Sequence, residues 1–249
     1  MPPPDPRTVA TRGGRSQVVR PGATTIPAAL QQRFADLGNS NLVMPATKLF
    51  VTLFRTQFVN NLPMQDFFTA ADRVLRSHGF ELDILPADKN PFVIDFNGGP
   101  INTELDALDL RQSAARKFTD NGNPPRLPII FCNFQKAFEG EAVGVTFVNS
   151  RNPPDGTKTF PDGTTFLPFC AIDGAPGAAF ATTFVHEIGH AALLEHENAS
   201  TDTTDVMHVA KTDERTNPRS KWNGLEIRAL AGAYFARPRV AVPYKLQIP

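Results

Sequence analysis

ATTFVHEIGHAALLEHE, residues 181 to 197, is the stretch on which the fold and chemistry of this chain turn. Four of the five histidines lie between residues 186 and 208, and the stretch holds His186, His190 and His196. Its apolar residues, Phe184, Val185, Ile188, Ala191 and Ala192, recur at helical spacing and predict a buried helix beginning near Ala178. On such a helix His186 and His190 sit four residues apart, on one face and about 6 Å along the axis, where two imidazoles can converge on one ion. Neutral imidazoles suit zinc. Glu187 is rotated by roughly 100° from that face, so it borders a water held by the metal rather than sharing in ligation. That is the position of a general base for hydrolysis, beside an ion that lowers the pKa of water to about 7. The competing explanation of the same residues is a buried helix whose histidines only form hydrogen bonds.

A third ligand is needed. On a straight helix His196 would lie some 9 Å beyond His190 and about 240° around the axis, so the chain must bend between them if His196 is to take part. Glu226, Glu214, Asp202 and Asp205 are carboxylate rivals for the position, as are Glu195 and Glu197 flanking His196, for which a solvated surface role is the alternative. His186, Glu187, His190 and His196 together resemble the metzincin clan of zinc endopeptidases, whose pattern is H-E-x-x-H-x-x-G-x-x-H followed by a methionine in a tight turn. Asp205-Val206-Met207-His208 is similar to that Met-turn. The resemblance covers residues 178 to 210. It implies that His186, His190 and His196 bind zinc, that Glu187 is the general base, and that Met207 is an apolar floor beneath the metal. It also implies a peptide-binding edge strand at GVTFVNS (144 to 150). Where the clan has glycine this chain has Leu193, for which a left-handed bend costs roughly 1 to 2 kcal/mol. His208 either lines the cleft or lies on the surface, and Val209 stands where some members have a tyrosine.

Working outward, KLFVTLFRTQF (48 to 58), FELDILP (80 to 86), LPIIFCNF (127 to 134), GEAVGVTFVNS (140 to 150) and TTFLPFCAI (164 to 172) read as strands. Helices are expected over 25 to 37, around Phe67, Phe68, Ala71, Val74 and Leu75, and after Thr103, which with Asp106 forms a variant capping box. The third helix is expected to turn Leu105, Leu108, Gln112 and Ala115 to one side. Ile227, Leu230, Ala231 and Tyr234 predict a closing helix stopped near Pro238, and residues 151 to 163 read as loop. His78 reads as a capping or surface residue, and Asn198-Ala199-Ser200 matches a glycosylation sequon of low specificity.

The fold class is therefore α/β (α+β): a short mixed twisted sheet packed with helices, an active-site helix, and a small C-terminal subdomain with a methionine turn and closing helix. Residues 1 to 23 read as a flexible arm and 24 to 249 as one catalytic domain, with an upper part to about 192 and a lower part from 193. Composition narrows the partners. The chain has 25 basic and 25 acidic residues and no block of like charge, so nothing favours nucleic acid or an anionic membrane. No apolar run reaches the roughly 18 to 20 residues of a bilayer span, which excludes integral membrane association. Cys132 and Cys170 lie in apolar strands and read as buried reduced thiols, a single disulfide being the alternative. The first two dozen residues show no apolar stretch of signal-peptide type, so a cytoplasmic chain, export by a route without such a signal and a processed or engineered start all stay open; the clan resemblance favours a secreted or exported protein, and a monomer is expected.

The function expected is a zinc-dependent endopeptidase acting on a protein or peptide substrate. Two alternatives remain open: a gluzincin-like or compact intracellular HExxH peptidase with a carboxylate third ligand, and a zinc-stabilised binding or effector module without general proteolysis.

Overall fold

The computed structural model describes residues 8–10, 16–18, 47–60, 62–117, 125–135, 143–160, 166–174, 181–197, 202–208 and 219–238. The chain divides into two compact units, 1–44 and 45–249. In the first, β1 (Thr8–Ala10) pairs antiparallel with β2 (Ser16–Val18). The helix expected over 25 to 37 lies outside the described residues.

In the second unit the elements run β3 (Thr47–Thr56), α1 (Met64–Arg76), β4 (Phe80–Leu85), β5 (Phe92–Ile94), α2 (Glu104–Lys117), β6 (Leu127–Cys132), β7 (Gly144–Val148), β8 (Thr157–Thr159), β9 (Phe169–Asp173), α3 (Thr183–Ala191), α4 (Gly224–Gly232) and β10 (Ala236–Pro238). Among the described residues eight strands form one mixed sheet. Along it β10, β3, β6, β9, β7 and β8 are successive neighbours, and β4 and β5 pair with β3. β3, β4, β5, β6 and β9 are parallel, whereas β7 runs antiparallel to β9 and β10 antiparallel to β3. The mixed α/β class agrees with the sequence.

Side-chain alternation divides the core into two layers, because successive strand residues point to opposite faces. Leu49, Val51 and Leu53 of β3, Leu127, Ile129 and Phe131 of β6, and Cys170 and Ile172 of β9 pack on one side with α1, α3 and Trp222. Phe54, Ile130, Cys132, Phe169 and Ala171 pack on the other with α2. Helix α1 buries the expected Phe67, Phe68, Ala71, Val74 and Leu75, and Phe67 and Phe68 meet Phe184 of α3 with ring centroids 6.3 and 5.9 Å apart. This contact seats α3 on the sheet. On β7, Val145 and Phe147 join the α2 layer, so Gly144 and Thr146 face α3.

Four expectations need correction. The capping box at Thr103 and Asp106 is present: Asp106 N–H donates to Thr103 Oγ1 and Thr103 N–H to Asp106 Oδ2. However, α2 buries Ala107, Leu110, Arg111 and Ala114, while Leu105 is 63% exposed. Small Ala107 and Ala114 let the helix lie close to the sheet, and that fit overrides the leucine pattern. The loop expected over 151 to 163 contains β8. Segment 144 to 150 is not an edge strand, since β7 lies between β9 and β8. The closing helix ends at Gly232, and the chain then extends as β10, which reaches Pro238 by pairing with β3. Both cysteines are free and buried, as expected, and no described helix is long and apolar enough to cross a membrane.

Candidate metal centre

Every residue of α3 is buried. His186 and His190 lie one turn apart on it, their rings 4.6 Å between centroids. The helix ends at the bend the sequence demanded. Ala192 is the C-cap, and Leu193 follows with φ of 65°, the left-handed conformation usually reserved for glycine. Leu193 N–H donates to His190 O and Leu194 N–H reaches back to Gly189 O, the paired bonds of a Schellman motif. The leucine therefore does what the glycine of the resembled pattern does, and its side chain, 57% exposed, escapes outward. The reversal brings His196 against the other two rings, its centroid 4.7 Å from that of His190 and 5.4 Å from that of His186.

His190 Nε2 lies 3.1 Å from His186 Nε2 and 3.2 Å from His196 Nε2. The opposite ring nitrogens are committed elsewhere. His186 Nδ1 is 2.6 Å from Val206 O, and His190 Nδ1 is 2.8 Å from Leu194 O. A carbonyl only accepts, so each Nδ1 carries the proton and each Nε2 presents a lone pair. Lone pairs facing one another at this distance repel unless a cation stands among them. A tetrahedral zinc with bonds of 2.0 to 2.1 Å separates its ligand nitrogens by about 3.3 Å, so the donor set and its spacing fit such an ion. Burial lowers the pKa of His186 well below the ordinary value and that of His190 to about 4, and also lowers that of His196. All three are then neutral at physiological pH, the form a metal requires. Among the described residues these three histidines are the group able to hold an ion.

Glu187 turns from this face toward β7. It is 3% exposed, and its Oε2 accepts a hydrogen bond of 2.6 Å from Thr146 Oγ1. Its other oxygen lies over Gly144, where an added Cβ would approach to 2.5 Å. Burial raises the Glu187 pKa to about 8, against the Thr146 hydrogen bond and the Arg219 charge, which lower it.

The turn at Asp205 to His208 supports α3 from below. Asp205 accepts from Met207 N–H through Oδ1 at 2.7 Å and from His208 N–H through its carbonyl at 3.3 Å. Met207 O accepts from Glu197 N–H, tying the turn to the segment that carries His196, and Val206 O is the acceptor for His186. Met207 is fully buried against Gly189, where any Cβ would collide with its sulfur and come within 2.8 Å of Trp222. His208 is half-buried and is not part of the histidine group.

Three of the carboxylate rivals, Glu226, Asp205 and Asp202, have other partners. Glu226 closes a capping box at the start of α4, accepting from Asn223 N–H at 2.6 Å. Asp205 holds the methionine turn, and Asp202 accepts from Thr204 and pairs with Lys221. Glu214 and the sequon at 198 to 200 lie outside the described residues. His78 follows the C-cap of α1, its Nδ1 donating to Val74 O and its Nε2 accepting from Trp222 N–H at 3.4 Å.

Four neighbours of the histidines and Glu187 were not singled out from sequence: Gly144, Thr146, Asp155 and Gly156. The first two lie in a strand whose inward face was not assigned to α3. Pro154-Asp155-Gly156 carries a strong turn signal, but nothing in it says what the turn meets. It meets the triad: Asp155 Oδ2 is 3.4 Å from His196 Nδ1, and a Cβ on Gly156 would collide with His190 Cε1.

No family model matches the chain, and no curated protein sequence does. Among solved structures it is similar to the crystal structure of metalloproteinase-II from Bacteroides fragilis, at 16% identity over 77% of this chain and 54% of that one, with a TM-score of 0.48. The chain spans about half the length of that structure.

Proposed function

We propose that the protein is a zinc-dependent endopeptidase of metzincin type, with His186, His190 and His196 as ligands and Glu187 as general base. The observation that carries this is the convergence of three Nε2 lone pairs while the Nδ1 atoms of His186 and His190 are spent on carbonyls. A zinc held there polarises a substrate carbonyl and eases deprotonation of water. The chain's own part is proton handling. Glu187 receives the proton of the attacking water and delivers it to the departing amine, the two halves of general base and general acid work by one carboxyl. Thr146 holds one carboxylate oxygen and leaves the other for the proton. Met207, in a turn of the kind the clan uses, keeps the floor of α3 apolar and rigid. The commitment of Glu226 to its cap favours His196 over a carboxylate ligand.

The test combines zinc content and proteolysis. Glu187→Gln is expected to bind zinc like the parent and to leave a generic protein such as casein intact while the parent digests it. Equal biological activity of parent and variant would remove the enzyme assignment in favour of a zinc-stabilised effector. His196→Ala is expected to lose zinc far more readily than Glu226→Ala, and the reverse ranking refutes the three-histidine site.

A further inference from the structure

We propose that the turn Pro154 to Thr157 is a working part of the metal centre, with Asp155 as a positioning residue that holds the His196 ring and Gly156 as the backbone that closes against the His190 and His196 rings. The inference rests on the triad being a zinc site.

The three histidines are not held alike. His186 and His190 stand on a buried helix, and each has a backbone carbonyl on its outer nitrogen at 2.8 Å or less. His196 lies beyond the helix end, half-buried, in a segment without regular structure. The acceptor that faces its outer nitrogen is a side chain, the carboxylate of Asp155. A carboxylate on the far nitrogen of a ligating histidine fixes the tautomer and ring plane and raises the basicity of the ligating nitrogen. Here that device falls on the ligand that the helix does not orient.

The turn is built to hold the carboxylate there. Thr157 N–H and its hydroxyl both donate to Pro154 O, at 3.0 and 2.6 Å. Gly156 occupies the third position with φ of 85°, which a type II turn requires. Thr157 then enters β8, which pairs with β7 at Thr146, the residue that holds Glu187. Asp155 and Glu187 thus take their positions from the same pair of strands. Gly156 has a second reason to lack a side chain: a Cβ would lie 2.6 Å from both His190 Nε2 and His196 Cε1, against two of the three rings.

The experiment measures zinc(II) affinity of the full chain by competition with a chromophoric chelator, alongside the denaturation midpoint of the metal-free protein. Asp155→Ala is expected to bind zinc 10- to 100-fold more weakly, with an unchanged metal-free midpoint. Asp155→Asn, whose amide oxygen still accepts from Nδ1–H, recovers most of that loss. Gly156→Ala is expected to lose zinc altogether. Affinity of Asp155→Ala within threefold of the parent, or equal losses in the alanine and asparagine variants, overturns the positioning role. A parent that takes up no zinc(II) overturns the zinc site itself, and is seen before any variant is made.

Discussion

Leu193 offers a direct measure of how the chain reaches its third histidine. It holds φ of 65° at the end of α3, and for a side chain with a Cβ this conformation costs roughly 1 to 2 kcal/mol. Glycine has no such penalty, but it gives up more freedom on folding than alanine, by about 0.5 to 1 kcal/mol. Leu193→Gly and Leu193→Ala remove the same atoms beyond Cβ, so comparing them cancels whatever the partly covered leucine contributes. The difference leaves Leu193→Gly level with Leu193→Ala or more stable by up to about 1.5 kcal/mol, or up to about 6 °C in Tm for a domain of this size. At an ordinary exposed helix position the order is the opposite. Thr69 in the middle of α1 is exposed and supplies the control, with Thr69→Ala more stable than Thr69→Gly by about 0.5 to 1 kcal/mol. Urea denaturation of the four metal-free variants reads both differences. If alanine exceeds glycine at 193 as it does at 69, the left-handed bend does not exist in solution, and the route by which His196 meets His190 has to be redrawn.

Thr146→Val removes the donor on Glu187 while keeping its volume; hydrogen bonds to charged groups contribute about 1.5 to 3 kcal/mol, so kcat is expected to fall roughly 10- to 100-fold at unchanged zinc content, and an unchanged kcat contradicts the role of that hydroxyl. Glu187→Gln reports on the buried carboxyl through stability. The folded pKa of about 8 stands above the ordinary 4.5, so between those values the native state keeps a proton the unfolded state has released, and stability falls as pH rises. The metal-free glutamine variant is then expected to match the parent near pH 4.5 and to exceed it by on the order of 3 to 5 kcal/mol above pH 8, and thermal melts that stay parallel across this range count against the burial. Glu226→Ala breaks the capping box of α4 and is expected to destabilise by about 0.5 to 2 kcal/mol at full zinc affinity, so zinc loss here would reinstate a carboxylate ligand.

Much of the fold was legible because its elements carry local signals. β6 is apolar at every position, as a strand covered on both faces must be, and α1 shows one clean apolar face. The misreadings lie where tertiary fit chooses among local options. In α2 the sheet selects Ala107 and Ala114 over Leu105 because closeness of approach outweighs the area of one leucine. β8 and β10 have three residues each, too few for alternation to register, and they exist because the neighbours β7 and β3 supply hydrogen-bonding edges.

The candidate site divides along the same line. His186, Glu187 and His190 are fixed by the helical period, so their relation follows from spacing alone. His196 required a bend at a residue disfavoured for it, and the chain compensates with the two Schellman bonds, an exposed Leu193 side chain and the tie from Glu197 N–H to Met207 O. Each of these bonds spans few residues or joins His196 to the methionine turn, so the clue lay in the pairing of His196 with Met207 rather than in either alone. Gly144, Thr146, Asp155 and Gly156 stand some thirty to forty residues upstream and reach the histidines only through strand order. Their chemistry depends on β7 lying beside β8 with its Gly144 and Thr146 face against α3, a relation no periodicity encodes. The two glycines still mark it: at 144 and 156 an added Cβ would strike Glu187 or the His190 ring, so glycine there is demanded by what approaches from the other side of the site.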